Sequence, residues 1–169
     1  MSGFDIVLAL IILVATAVEA FRGFGRAIFD GLGLYIALII AHCAYLPLAG
    51  AVRFHSGAAD NHAVAYAVVF GVSSVLMLVA SRFVYGTLLY NAGVFDQFLG
   101  VVAGIVIGVI VAHGVATSVS LTDPNGNGMV ASYTDTTLGD EMLNFTTYHH
   151  FMQSISTFGD NQRTDPTAG

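Results

Sequence analysis

The sequence predicts an all-α membrane protein: four transmembrane helices followed by an extramembrane amphipathic C-terminal helix. Three observations carry this prediction. Charged residues make up only 9% of the 169 and mean hydropathy is +0.77, whereas a soluble domain carries about 25% charged residues. Apolar stretches fall at about 4–21, 27–48, 63–83 and 98–121, each close to the ~20 residues a helix needs to cross the hydrocarbon core. Past residue 122 the composition changes, with six acids and a single Arg over residues 123–169. The chain therefore divides into a four-span domain, 1–122, and an acidic tail, 123–169.

The first segment, MSGFDIVLALIILVATAVEAF, has the apolar core of a signal peptide and an A-x-A at Ala15, Thr16 and Ala17. It lacks a basic leading region, and Asp5 stands where a Lys or Arg is expected, so it is read as a retained first helix. Next comes RGFGR, where Gly23 and Gly25 supply a hinge or tight reversal. The second segment holds Asp30 near its start and ends at about Pro47, since proline cannot continue the hydrogen-bond ladder. A polar connector, about 49–62, leads to the third segment, and a link with Gly86, Asn91 and Gly93 leads to the fourth. The lone cysteine, Cys43, forms neither an intrachain disulfide nor a multi-Cys metal site and is expected to be a small buried apolar residue.

The fourth segment is the organising one. No acid, Lys or Arg lies between Asp96 and Asp123, and Gly100, Gly104, Gly108, Ala112 and Ala116 recur every fourth residue. On a helix these five form one stripe. Such a stripe lets another helix come close, where dispersion contacts replace the missing hydrophobic drive between helices in lipid. In the tail, DPNGNG is a dense turn signal. Leu138, Met142, Phe145, His149, Met152 and Ile155 then fall at three- and four-residue steps, predicting an amphipathic helix over about 137–158. Thr137 with Asp140 three residues on is its expected capping box. The last ten residues are expected to be disordered.

The chain contains no Lys, so orientation follows from Arg. Arg22 and Arg26 lie in the first link and Arg82 in the third, against Arg53 alone in the second. The positive-inside rule then puts links one and three in the cytoplasm and both termini on the outer, periplasmic side. The acidic tail excludes nucleic acid, whose phosphates need basic patches.

Two groups of polar residues sit where a membrane makes them costly. Glu19, Arg22, Arg26 and Asp30 follow at steps of three, four and four; on one continuous helix they would form a ladder of charge. With Asp96 they make an interfacial cluster that either anchors the helix ends or conducts ions or protons. His42 and His113 lie inside segments two and four, where opposite strand directions bring them to similar depth as interhelical hydrogen bonders or a polar path. Asp123, Asn125, Asn127 and Gly128 imitate half a calcium loop, but its twelfth position is Thr134 rather than Glu, which argues against calcium. His149 and His150, adjacent and so on different sides of a helix, are ordinary surface residues, and Asn144, Phe145 and Thr146 form a sequon that matters only in a eukaryotic secretory setting. No nucleophile–base pair and no phosphate-cradling loop is present, so neither catalysis, metal nor cofactor is expected.

At RGFGRAIFDGLGLYIALIIA the sequence resembles the colicin V production protein family of bacterial inner-membrane proteins. That family opens with a helix beginning near an Asp, then an Arg-Gly pair and a helix rich in Leu, Gly and Ala; Asp5, Arg22 and Gly23 fit. FDQFLGVVAGIVIG resembles the family's Asp-Arg-x-Leu-Gly before a Gly-spaced helix: Asp96, Leu99, Gly100 and Gly104 fit, and Gln97 stands in place of the basic residue. The similarity covers roughly residues 4–120 and weakly the amphipathic tail, and implies a four-span inner-membrane protein connected with toxin production or export and envelope upkeep, without catalytic residue or cofactor. The expected function is thus non-catalytic, exerted by helix packing with the bilayer, a second copy or another membrane protein. A small oligomeric ion or proton channel, or a transporter subunit, is the alternative.

Overall fold

The computed structural model describes residues 3–87, 94–122 and 136–145. Among them are four long helices, α1 (Gly3–Arg22), α2 (Phe24–Ala51), α3 (Ala58–Thr87) and α4 (Val94–Ser120), and a short fifth, α5 (Thr137–Asn144). All four long helices are apolar and long enough to cross a membrane. At 1.5 Å per residue the 28 residues of α2 extend about 42 Å, more than a ~30 Å hydrocarbon core. Large apolar side chains such as Leu13, Phe21, Val75, Leu76 and Val106 face outward, the arrangement of a bundle whose surroundings are lipid.

The fourth helix lies between the first two. It runs antiparallel to α1 and parallel to α2, so His42 and His113 sit on helices of the same direction rather than the opposite directions expected, while α3 packs mainly on α2. The α1–α4 contact is one of backbone on backbone. A Cβ added at Gly104 would lie 2.7 Å from the Thr16 Cα, one at Gly108 2.7 Å from the Ile12 Cα, and one at Gly100 2.7 Å from the Glu19 carbonyl oxygen. Ala112 and Ala116 continue the stripe and are fully buried against Leu8 and Met142. Ala27, Leu34 and Ile107 fill the middle of the bundle; Ala41, Tyr66 and Phe70 fill the end nearer link two. On the α2–α3 side, Ser73 donates to the Ala37 carbonyl at 3.3 Å, and Gly33 lets Met77 approach.

Several local expectations change. The α2 helix continues through Pro47 to Ala51, because a proline one turn from a helix end removes one bond without having to break the helix. The connector shrinks to residues 52–57 and is tied by buried Asn61, which accepts from the Phe54 and His55 amides and donates to the Ala49 and Val52 carbonyls. Cys43 is exposed rather than buried, on the outward face of α2. The tail helix is capped by Thr136, one residue before the expected Thr137; its hydroxyl accepts from the Gly139 amide at 3.2 Å. That helix closes at Asn144, where Phe145 takes a left-handed conformation (φ 47°) with its ring against His113; the rest of the expected stretch to residue 158 lies outside the described residues. Residues 146–169, with His149, His150 and Arg163, lie outside the described residues, as do the half calcium loop and the turn signal at 123–128.

The close α1–α4 approach makes a direct prediction. Gly104→Leu forces a side chain into the Thr16 backbone and should cost at least ~2 kcal/mol, read as a lower melting temperature of the purified protein and altered α1–α4 cross-linking. Gly71→Leu, on an outward face of α3 with nothing within 4 Å of its Cβ position, should be neutral or mildly stabilising. Equal effects from the two substitutions would rule out the stripe as the seam.

Candidate functional site

The charged cluster assembles at the helix ends that carry links one and three. Its geometry starts at Gly23, whose φ of 85° breaks the chain between α1 and α2. A residue with a side chain resists that conformation, and at Gly23 it would also strike the Asp96 carboxylate. The ladder expected from one continuous helix is therefore interrupted, yet the break brings its members closer together. Arg22, closing α1, donates through Nη1 to Glu19 Oε1 at 3.2 Å and, across the turn, to Asp30 Oδ2 at 3.4 Å. Arg26 Nε lies 3.6 Å from the same Asp30 oxygen. The other Asp30 oxygen accepts from the Ser81 hydroxyl of α3. Asp96, opening α4, accepts from the Gly25 amide at 3.2 Å and so satisfies one of the orphan donors in the first turn of α2.

Glu19 and Asp30 are both almost fully buried, 3% and 1% exposed. Burial of two carboxylates is tolerable only where cations and donors surround them, and for Asp30 that condition is met on both oxygens. Glu19 is different. Its Oε2 is buried and has no hydrogen-bond partner among the described residues, and Arg26 Nε lacks one as well. Ser81 is the member that sequence reading missed: a serine in an apolar helix carries no signal of its own, and only the α2–α3 register places it on Asp30.

At the opposite end, Asp5 and His113 hold the tail helix. The Asp5 carboxylate accepts from the Leu138 amide at 3.2 Å, and the His113 Nδ1–H donates to the Met142 carbonyl. An eight-residue helix is too short to persist alone; these two side chains occupy an orphan donor and an orphan acceptor, while Met142 inserts among Leu8, Ala112 and Ala116. His42 and His113 border one hollow between α2, α3 and α4. Among the described residues no three His, Cys, Asp or Glu side chains converge as a metal-binding set.

A family model described as colicin V production protein matches residues 4–146. The chain belongs to the colicin V production protein family. The match takes in all four spans and α5, so it includes the start of the tail, where the resemblance is weak. No curated protein and no solved structure matches the chain. This member of the colicin V production family is thus a multi-span membrane protein that gathers Glu19, Asp30 and Ser81, buried, at the Asp96 end of the bundle.

Asp30 and Asp96 should separate a buried charge network from a cap. Asp30→Ala takes the acceptor from Arg22 and Ser81 and the ion-pair partner from Arg26, and should destabilise by ~3–5 kcal/mol. Asp96→Ala removes a single capping interaction and should cost ~1 kcal/mol. Denaturation of each variant in micelles orders them; a larger loss at Asp96 would invert the assignment.

Proposed function

We propose that this chain is a non-catalytic inner-membrane protein that supports colicin V-type toxin production or export and envelope upkeep by packing against the bilayer and against a second copy or another membrane protein. The observation that carries this reading is the family match over residues 4–146. The packing of the bundle supports the mode of action. Because the small-residue stripe of α4 is already occupied by α1, contacts with partners fall on other faces, such as the apolar groove beside Ala9, Leu13, Ala17 and Ala20. The side chains at the charged cluster are held in ion pairs and caps, which suits a structural role. Cytoplasmic links one and three, with both termini periplasmic, follow from Arg22, Arg26 and Arg82 standing at one end and Arg53 at the other.

One observation favours a second reading. The unpartnered Oε2 of buried Glu19 sits beside Arg22 and Asp30, and intramembrane ionisable groups mark proton routes in other proteins. In that reading an oligomer conducts protons past Glu19, since four helices alone enclose no channel among the described residues.

Expression in a colicin V-producing strain stripped of its own family member should restore the toxin halo, and a halo that stays absent with protein in the membrane would overturn the assembly reading. Proton flux in proteoliposomes decides the second reading. Flux that Glu19→Gln reduces at least tenfold in folded protein supports conduction; flux at the level of empty liposomes, or equal in the variant, sinks it.

A further inference from the structure

Of the larger hollows on the bundle, the two that score the membrane face beside α1 and between α2 and α4 are lined by apolar side chains. A third is different. It lies between α2, α3 and α4, encloses about 270 Å³, and is bordered by Tyr35, His42, Cys43, Tyr66 and His113 among leucine and isoleucine. His42 stands nine residues before the end of α2, about 13 Å along the axis from Ala51. Its ring is exposed and lies beside the Tyr45 ring, centroids 6.2 Å apart, with no hydrogen bond among the described residues. An imidazole facing hydrocarbon without a partner is costly.

The remaining walls are fixed. Tyr66 is 1% exposed, with its hydroxyl tied to Thr117. Bonding of His113 Nδ1–H to Met142 leaves Nε2 as the acceptor of the neutral ring. The hollow is therefore bordered by donors at His42 and Tyr35 and by an acceptor at His113 Nε2, among aromatic side chains and open to the membrane side. An acyl chain satisfies none of these groups. A metal ion lacks a third ligand. About 270 Å³ falls just below the range of drug-sized sites, which admits a single substituted ring.

We propose that this hollow binds the ring of a lipid-soluble quinone, its carbonyls accepting from His42 and Tyr35 in the oxidised form and a hydroxyl donating to His113 in the reduced form. The proposal concerns binding alone and is independent of the assembly and conduction readings. Cys43, the single cysteine of the chain, is exposed at the rim and reports occupancy directly.

The test is the rate of Cys43 alkylation by N-ethylmaleimide in the full-length protein in micelles, with and without a decyl-tailed benzoquinone whose ring is fully substituted and cannot add the thiol. Saturable slowing of at least fivefold is expected, with decylbenzene, which shares the tail but lacks carbonyls, changing the rate less than twofold. His42→Phe keeps a flat ring and should lose the protection while its unliganded alkylation rate stays near wild type. If that variant misfolds, Tyr35→Phe serves, with protection weakened severalfold. No slowing at saturating quinone overturns the proposal. So does equal slowing by decylbenzene, or protection that rises with protein concentration alone, which assigns the hollow to a second copy of the chain.

Discussion

The rest of the structure depends on how closely α1 and α4 approach. In lipid, apolar side chains gain nothing by leaving their surroundings for one another, so helices stay together through dense contact and a few polar bonds. Gly100, Gly104 and Gly108 remove the side chains that would hold the two backbones apart, and Ile12, Thr16 and Glu19 fill the space. Once that seam is set, Glu19 is carried inside and Ala112 and Ala116 form the floor on which Met142 rests. The polar cluster at one end and the docked tail at the other are both built on the same pair of helices.

Two carboxylates from other helices do similar work at opposite ends. Asp96 of α4 accepts from the first turn of α2, and Asp5 of α1 accepts from the first turn of α5. Each replaces the local cap that the sequence does not supply: residue 23 is a glycine with no side chain to cap α2, and Thr136 serves a different amide of α5. Both helix starts are thus held by long-range bonds. A change at either carboxylate acts on an element far away in sequence.

Much of this was legible in the sequence, for physical reasons. Span number follows from composition and length, and the α4 seam from a four-residue period of small residues; both are local patterns. The hinge was legible in Gly23, although the ladder drawn across it assumed a helix that the positive φ interrupts. Less legible were features set by register between helices. Ser81 on Asp30, the capture of α5 by Asp5 and His113, and the outward position of Cys43 depend on which face each helix turns to its neighbours. Nor does spacing alone register the left-handed turn at Phe145, which closes α5 where its ring meets His113.

The position of α4 between α1 and α2 bears on how the chain is assembled. The first two helices are joined by a single turn, yet they cannot close on each other as a hairpin, because the space between them belongs to a helix made about seventy residues later. During synthesis α1 must wait in the bilayer with its contact face open until the fourth span arrives and slides in beside it. The glycine seam is therefore the last major contact to form, and the nascent three-span intermediate is the state most open to mispairing or to capture by another membrane protein.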